Sequence, residues 1–218
     1  MKLYNAALSP FAARIRVQLY AKSLDIPLVA PPGGAGSEEY KKINPLGKVP
    51  ALLLDDGSVV PESIVIGEYL EDRFPAPSLR PADATACARM RLLTHFTDSY
   101  LEPPLHALFP QVMDPSARDP KLVAEKVAEL ATRYDQLAGL LTPGGPYAMG
   151  KDLTLADCVL FSLFFFATKV HPMLGDKDPT ASRPVLAQWW DAVQKHPAVA
   201  KVNAELGKAL AEEMGARK

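Results

Sequence analysis

The sequence of 218 residues predicts an α/β domain followed by an all-α domain. Up to Phe74, apolar runs and turn residues follow one another in the order β-α-β-α-β-β-α. A proline-rich break, Phe74-Pro-Ala-Pro-Ser78, then interrupts the chain. Beyond this break, apolar residues recur at helical spacing and no stretch alternates with a period of two. We therefore expect one domain over 1–76 and an all-helical domain over 78–218.

The first predicted elements are a strand from Lys2 to Ala7 and a helix from Ser9 to about Ser23. Ser9 suits the N-cap position and Pro10 the first helical position, where the missing N–H costs nothing. A strand, a flexible loop and a short helical turn are predicted next, over 24–30, 31–37 and 37–42.

The stretch from Ile43 to Leu70 predicts a strand, a hairpin, a return strand and a helix. An apolar run of strand length, Ala51 to Leu54, precedes the hairpin signal Asp55-Asp56-Gly57, and Val59-Val60 begins the return strand. The helix follows Pro61-Glu62-Ser63, and one of its sides is predicted to carry Ile64, Ile66, Gly67 and Leu70. Unpaired N–H groups and the dipole at such a helix start favour an anion near Ser63.

The second half predicts helices only. The first is expected over Ala82 to Leu101, stopped by Pro103-Pro104. The others are expected over 120–141, 154–169, 184–195 and 199–214. Thr154-Leu-Ala-Asp157 precedes an apolar run and is close to a capping box, so we expect Asp157 to be buried and structural.

Composition and charge exclude several classes of protein. With 48% hydrophobic and 22% charged residues the chain is an ordinary globular protein, and its formal net charge of −1 argues against a general nucleic-acid surface. Cys87 and Cys158 form no CxxC motif, and neither they nor the four histidines have metal-ligand spacing, so no metal site is predicted. Cys158 is expected to be a small buried hydrophobe.

No segment predicts export or membrane insertion. The N-terminus, MKLYNAALSPFAARIR, lacks the continuous apolar core of a signal peptide. The longest apolar run, Cys158 to Ala167, is too short to span a bilayer. We expect a cytoplasmic protein with no membrane or nucleic-acid partner.

Ser9 is the sharpest candidate for chemistry. Its hydroxyl can accept a backbone hydrogen bond as an N-cap and still donate its own proton outward to an anion. A thiolate placed there would also lie at the positive end of the helix dipole. The simpler alternative is that Ser9 only caps the helix, and Tyr4 is a rival hydroxyl that we expect to be a packed strand residue.

Two motifs in the first half carry a resemblance to a known family. The motif NPLGKVPAL, followed by Pro61-Glu62-Ser63 and a helix, resembles the glutathione-binding half of the cytosolic glutathione S-transferase family. SPFAARIR is similar to the serine-type members, of bacterial, tau, zeta or phi type, in which a Ser precedes an Arg by five residues, as Ser9 precedes Arg14. Thr154 to Asp157 and the segment PVLAQWW resemble the family's second domain.

The resemblance implies a thioredoxin-like first domain with a cis bond before Pro50, and it assigns roles to the site residues. Ser9 would stabilise the glutathione thiolate, Ser63 would bind the γ-glutamyl carboxylate and Glu62 its ammonium group. Val49 would pair its backbone with the cysteinyl residue, and Lys48 would face the glycyl carboxylate, assisted by Lys41 or Lys42. Candidate walls of an apolar substrate pocket are Phe11, Phe96, Tyr100 and Phe109, and Asp98 is a candidate contact to a partner subunit's ligand.

The function that the resemblance implies is a homodimeric glutathione transferase. Glutathione would be the co-substrate and a small apolar electrophile its acceptor. Two alternatives stay open: an enzyme that uses the same thiolate catalytically, as glutathione-dependent isomerases or ether-cleaving relatives do, and a non-catalytic binding protein of the same fold.

Overall fold

A computed structural model describes residues 1–216 of the chain. Contacts divide it into two compact units, one formed by Met1–Leu79 together with the stretch from His196 onward, the other by Arg80–Lys195. The predicted domains, 1–76 and 78–218, are continuous along the chain. The first compact unit is not, because it also contains the last helix.

The first unit is built on a mixed four-stranded sheet with the strand order β2-β1-β3-β4. The strands are β1 (Lys2–Tyr4), β2 (Leu28–Val29), β3 (Ala51–Leu53) and β4 (Val59–Pro61). β1 pairs in parallel with β2, whereas its pairing with β3 and that of β3 with β4 are antiparallel. The hairpin between β3 and β4 turns at Gly57, whose φ of +88° explains the glycine.

Two strands are shorter than the sequence predicted. The strand expected over Lys2 to Ala7 ends at Tyr4, and of the run from Leu24 to Ala30 only Leu28–Val29 is paired. Strand propensity does not show where a neighbouring strand ends, and β1 and β2 pair at only two positions, Leu3 with Leu28 and Tyr4 with Val29.

The helices of the first unit follow the prediction closely. They are α1 (Pro10–Ala21), α2 (Glu38–Lys41), α3 (Ser63–Arg73) and, at the end of the described chain, α9 (Pro197–Ala216). Ser9 is the N-cap of α1, with its side chain accepting from the Ala12 N–H, and Pro10 stands at the first turn, which confirms the predicted start. α9 packs along α1.

One apolar core joins the sheet to α1 and α3. Its buried members are Leu3, Ile15, Leu19, Leu52, Ile66 and Leu70. The expectation that Ile64 faces the same side is wrong, because Ile64 is 38% exposed. Ile66 and Leu70, four residues apart, lie on the core face of the helix. Ile64 precedes Ile66 by two residues and therefore lies about 200° around the helix from that face.

Glu71 of α3 is a buried polar node that ties the first unit together. Its carboxylate lies 3.0 Å from the Lys22 ammonium, and both side chains are almost completely buried. It also accepts from the Gln18 amide at 2.9 Å and from the Leu79 N–H at 3.0 Å. These contacts join α1, α3 and the segment after α3, so the node fixes how the two helices pack.

Replacing Lys22 by Met should lower the free energy of unfolding by about 3 kcal/mol, because Glu71 would stay buried without its cation. Urea denaturation measures this change. Lys208→Met provides the control, since its pairing with Glu212 at 3.9 Å is exposed and its loss should have no measurable effect. Equal midpoints for Lys22→Met and the wild type would show that the buried pair does not stabilise the fold.

The second unit is helical in every regular element of its described residues. Its helices are α4 (Ala84–Phe96), α5 (Glu102–Met113), α6 (Pro120–Leu140), α7 (Leu155–Met173) and α8 (Pro184–Val193). Thr97–Leu101 forms a π-helical segment between α4 and α5. The prediction that Pro103-Pro104 stops a helix is wrong: both prolines lie in the first turn of α5, where a missing N–H breaks no helical hydrogen bond.

Asp157 is the buried structural residue that the capping motif predicted. It is the third residue of α7 and forms a capping box with Thr154. Its carboxylate accepts from the Thr154 N–H, the Ala148 N–H and the Trp189 indole, at 2.9, 2.7 and 3.0 Å. Burial raises the pKa of Asp157, and these donors counteract the shift. Asp157 thereby joins α7, α8 and the preceding loop.

α7 is the core helix of the second unit. Among the described residues it is the one helix long and apolar enough to cross a membrane, with a mean hydropathy of 1.3, but 83% of its apolar window is buried within the protein. Such burial is typical of a core helix. Cys158, on this helix, is 2% exposed, as expected.

Candidate active site

A cleft in the first unit brings together the predicted peptide-binding residues. Its walls include Lys48, Val49 and Pro50 on one side and Glu62 and Ser63 on the other. These five positions come from two segments of the chain, which the antiparallel pairing of β3 with β4 places side by side. Phe11, Asn44, Leu46 and Pro61 complete the lining. Ser9 is not part of this lining.

The segment Lys48–Pro50 is held in place by donors that sequence reasoning missed. The Lys48 carbonyl accepts from the Asn44 amide at 2.8 Å and from the Tyr40 hydroxyl at 3.0 Å. The Val49–Pro50 bond is cis, as the resemblance implied. Gly47, with a φ of +65°, makes the tight turn just before the segment.

The sequence did contain a signal for Asn44. Its side chain also accepts from the Leu46 N–H at 3.2 Å, the local turn that an Asn before Pro favours. The contact with the Lys48 carbonyl could not be found in this way, because it depends on how the turn folds back. Tyr40 likewise reaches this carbonyl only because α2 packs beside it.

The other side of the cleft is a strained turn followed by a helix start. Glu62 has φ +68° and ψ +117°, a conformation that is unfavourable for a residue with a Cβ. Strain of this kind persists where the surrounding structure enforces it, and it clusters at ligand sites. The next residue, Ser63, is the first of α3, and the Glu62 side chain does not cap that helix. The first-turn N–H groups of α3 therefore donate no hydrogen bond to the Glu62 side chain, and N–H groups at such a helix start suit an anion.

Arg14 brings a positive charge close to this helix start. Its guanidinium donates to the Ser63 hydroxyl at 3.4 Å, a long contact, and lies 4.9 Å from the centre of the Phe11 ring. Arg14 is only 2% exposed, so its field is little screened by water. The sequence singled out Arg14 only for its spacing from Ser9, and the contact to Ser63 is an additional finding.

Ser9 lies at the N-terminus of α1, two residues before the cleft-lining Phe11. Its hydroxyl oxygen accepts from the Ala12 N–H at 3.2 Å, and its own N–H donates to the Ala6 carbonyl at 3.1 Å. The cap occupies one lone pair of the hydroxyl, and the hydroxyl proton is a separate donor. The geometry is therefore compatible with both predicted roles of Ser9.

Tyr4 is a packed strand residue, as expected. It is 4% exposed, and its ring meets the Tyr40 ring edge-on, with the centroids 5.3 Å apart. Lys41 and Lys42 are exposed, and Lys41 pairs with Glu38 at 2.7 Å. That pairing is typical of a solvated face rather than of a ligand site.

The other aromatic candidates lie in the second unit. Phe96 is buried and Tyr100 is 43% exposed, and their rings stack with the centroids 5.1 Å apart. Phe109 packs against Phe166. Asp98 is half-buried on the π-helical segment Thr97–Leu101. Among the described residues, no group of three or more His, Cys, Asp or Glu side chains is placed to hold a metal ion.

A sheet of this order with a cis-proline beside a helix start defines a thioredoxin-like domain. Comparison with known sequences identifies the family. The profile of the glutathione S-transferase N-terminal domain matches residues 3–78, and that of the C-terminal domain matches residues 100–197.

Individual relatives agree with this assignment. Glutathione S-transferase Z2 of Arabidopsis thaliana is 31% identical over 208 residues, covering 91% of this chain and 88% of the relative. Maleylacetoacetate isomerase of Mus musculus is 30% identical over 165 residues, covering 72% and 74%. A glutathione S-transferase of Methylobacterium radiotolerans, in complex with glutathione sulfonate, superposes with a TM-score of 0.76 at 27% identity, covering 92% and 93%. This chain belongs to the glutathione S-transferase family and has its two-domain fold.

Replacing Asn44 by Ala should lower the free energy of unfolding by about 1–3 kcal/mol, because the Lys48 carbonyl would lose its shorter side-chain donor. Urea denaturation gives the value. Tyr40→Phe removes the second donor but keeps the packed ring, and it should cost less. Wild-type stability in Asn44→Ala would mean that this hydrogen bond does not hold the cis-proline segment.

Proposed function

We propose that this enzyme binds glutathione in the cleft of its first unit and holds the thiol as a thiolate with the Ser9 hydroxyl. The observation that carries the proposal is the placement of Lys48, Val49, Glu62 and Ser63 around one cleft, whose lining also includes Phe11 from the helix that Ser9 caps. The bound glutathione sulfonate of the Methylobacterium relative supports the choice of ligand.

The γ-glutamyl end of glutathione carries a carboxylate and an ammonium group, and the helix-start side of the cleft fits both. The first-turn N–H groups of α3 and the Ser63 hydroxyl would donate to the carboxylate, with Arg14 adding positive charge from beneath. The strained backbone of Glu62 would turn its carboxylate towards the ammonium. The donors at Ser63 and the acceptor at the adjacent Glu62 would together favour this zwitterionic end over a ligand that carries only a negative charge.

The rest of the peptide is recognised mainly through its backbone. The N–H and C=O of Val49 would pair with the cysteinyl residue in the manner of an added strand, which fixes the direction of the peptide. Lys48 is exposed, and its ammonium group would face the glycyl carboxylate. Because Asn44 and Tyr40 hold the Lys48 carbonyl, the Val49 backbone is already oriented before the ligand arrives.

In this arrangement the sulfur is activated at the start of α1. An unperturbed thiol has a pKa of about 8.5, and lowering it by about two units requires roughly 2.7 kcal/mol of thiolate stabilisation. One charge-assisted hydrogen bond from Ser9 together with the helix dipole supplies energies of this size. The thiol proton would leave to water, and the thiolate would form the new carbon–sulfur bond to a small apolar electrophile. In a substitution the leaving group would depart with its bonding electron pair, and in an addition the π electrons would move to the neighbouring atom, which would take up a proton from water. Phe11, which lines the cleft of the first unit, is the proposed wall beside that electrophile, and Phe96 and Tyr100 stay the candidates that the sequence predicted in the second unit.

The remaining parts of the proposal come from the family. We propose a homodimer that works in the cytoplasm, with Asp98 as a candidate contact to the ligand of the partner subunit. The enzyme itself would supply orientation and charge stabilisation, and glutathione would supply the nucleophile.

Replacing Ser9 by Ala should lower turnover by at least about tenfold, equivalent to about 1.4 kcal/mol, while glutathione affinity stays within a few-fold. Affinity persists because the peptide is bound at its other groups. Steady-state kinetics and calorimetry measure the two quantities. The variant also loses an N-cap, so Asp83→Ala, which removes the cap that Asp83 forms with the Ala86 N–H on α4, is the matched control for stability. Unchanged turnover in Ser9→Ala would move the role to Tyr4 or to backbone N–H groups.

A glutathione-dependent isomerase is the second candidate, and the similarity to maleylacetoacetate isomerase favours it. In that reaction the thiolate adds to an unsaturated substrate and leaves again. A panel of electrophiles and cis-enones separates the two functions: conjugation consumes glutathione mole for mole, whereas isomerisation returns it. Consumption of glutathione with release of an alcohol would indicate ether cleavage, and binding without any turnover would indicate a binding protein.

A further inference from the structure

We infer that Arg16 and Glu205 are positioning residues for Ser9. Through them, α9 fixes the loop that ends at Ser9, the residue proposed to donate a hydrogen bond to the thiolate. This inference deepens the proposed function and depends on it for its chemical consequence. Its structural part, the clamping of the loop by α9, can be tested without glutathione.

The loop between β1 and α1, residues 5–9, carries Ser9 at its end. Its first residue is tied to the sheet, since the Asn5 N–H donates to the Val29 carbonyl at 2.9 Å. Its middle is tied by Arg16, whose guanidinium donates to the Ala7 carbonyl at 2.8 Å. Ala7 itself is exposed, so its own side chain contributes little packing. Arg16 therefore anchors the loop at a carbonyl two residues before Ser9.

Arg16 is oriented in turn by α9. Another nitrogen of its guanidinium donates to the Glu205 carboxylate at 2.8 Å, and the Arg16 side chain is 4% exposed. Burial lowers the pKa of Arg16, and the charge of Glu205 acts against that shift. A planar guanidinium offers donors in fixed directions, so a contact on one edge fixes where the other edge points. Glu205 thus sets the position from which Arg16 reaches Ala7.

A second contact ties Glu205 to α1. The Tyr20 hydroxyl donates to the other carboxylate oxygen at 2.8 Å, and burial raises the pKa of Tyr20 to about 12. The Lys201 ammonium lies 3.7 Å from the centre of the Tyr20 ring. Glu205, one turn further along α9, is therefore fixed between two donors of α1. The Arg16 side chain is 4% exposed and that of Glu205 31%, and each of the two makes two hydrogen bonds along the path from α9 to the Ala7 carbonyl.

Fixing the loop affects catalysis because the Ser9 hydroxyl can stabilise the thiolate only when it lies within hydrogen-bond distance of the sulfur. A displacement of about 1 Å can cost about 100-fold in rate when the reacting groups must be aligned. The peptide-binding residues lie on other segments, so loosening residues 5–9 should affect the thiolate more than glutathione affinity. This split distinguishes positioning from a general loss of folding.

The test compares the wild type with Glu205→Gln, Glu205→Asp and Glu212→Gln. Glutamine keeps the size of Glu205 but removes the charge, and aspartate keeps the charge on a shorter side chain. Glu212 lies on the same helix, with its carboxylate exposed and only 3.9 Å from Lys208, so its replacement is the matched control. Amide hydrogen exchange of residues 5–9 reports on the loop, and kcat, KM and the pH titration of bound thiolate absorbance report on the chemistry.

In Glu205→Gln, exchange in the loop should accelerate about tenfold and kcat should fall about five- to tenfold. The bound thiol should titrate at a higher pH, and KM for glutathione should stay within about twofold. Glu205→Asp should recover part of each effect, and Glu212→Gln should match the wild type. A lower melting temperature with unchanged exchange, kcat and thiol titration would overturn the inference.

The failure of the proposed function has a different signature. If the wild type neither binds glutathione nor shows a thiolate, the proposed function fails, and the exchange data alone decide whether α9 clamps the loop. If the wild type is active and Glu205→Gln equals it in exchange and in turnover, only the inference fails.

Discussion

In the proposed mechanism, one hydroxyl at the start of α1 has to satisfy two demands, capping the helix and donating to the glutathione sulfur. The Ser9 oxygen accepts from the Ala12 N–H, which starts the helix, and the hydroxyl proton can still be donated to a ligand. That proton is useful only if the helix start, the loop before it and the peptide cleft keep a fixed geometry. The sheet, the cis-proline segment and the last helix each fix one of these parts.

Fixed polar contacts, rather than the apolar core alone, set this geometry. The core gives α1 and α3 a common face on the sheet, but apolar contacts have little directionality. The Glu71 node fixes how these helices pack, and the Lys48 carbonyl, with its two donors, fixes the opposite wall of the cleft. Buried hydrogen bonds of this kind are costly to leave unpaired, so they select one arrangement.

The sequence predicted what depends on local chemistry. A serine before a proline marked the start of α1, an Asp-Gly turn marked the hairpin, and a capping box marked Asp157. The motifs around Val49 and Ser63 predicted the family by resemblance, which is now shown, and both segments line one cleft, whose peptide ligand stays a proposal. Where the local signals were ambiguous the prediction was wrong: Pro103-Pro104 suits a helix start as well as a helix stop, and only the fold shows which applies.

Contacts between residues distant in the chain could not be predicted. Glu205 lies 189 residues after Arg16, and nothing in either local pattern indicates the other. Gln18, Lys22 and Glu71 would each be taken for a surface residue of an amphipathic helix, yet all three are buried. The structural role of such residues becomes evident only once the fold shows which polar groups are buried away from water.

We propose that the sulfur of bound glutathione is ionised at neutral pH because of where α1 begins. Difference absorbance of the thiolate, recorded while glutathione is added at a series of pH values, tests it most directly. The thiolate signal should persist about two pH units below the range of the free thiol and should disappear when Ser9 is replaced by Ala. Binding of glutathione with no thiolate signal at neutral pH, or with the same signal in both proteins, would contradict it.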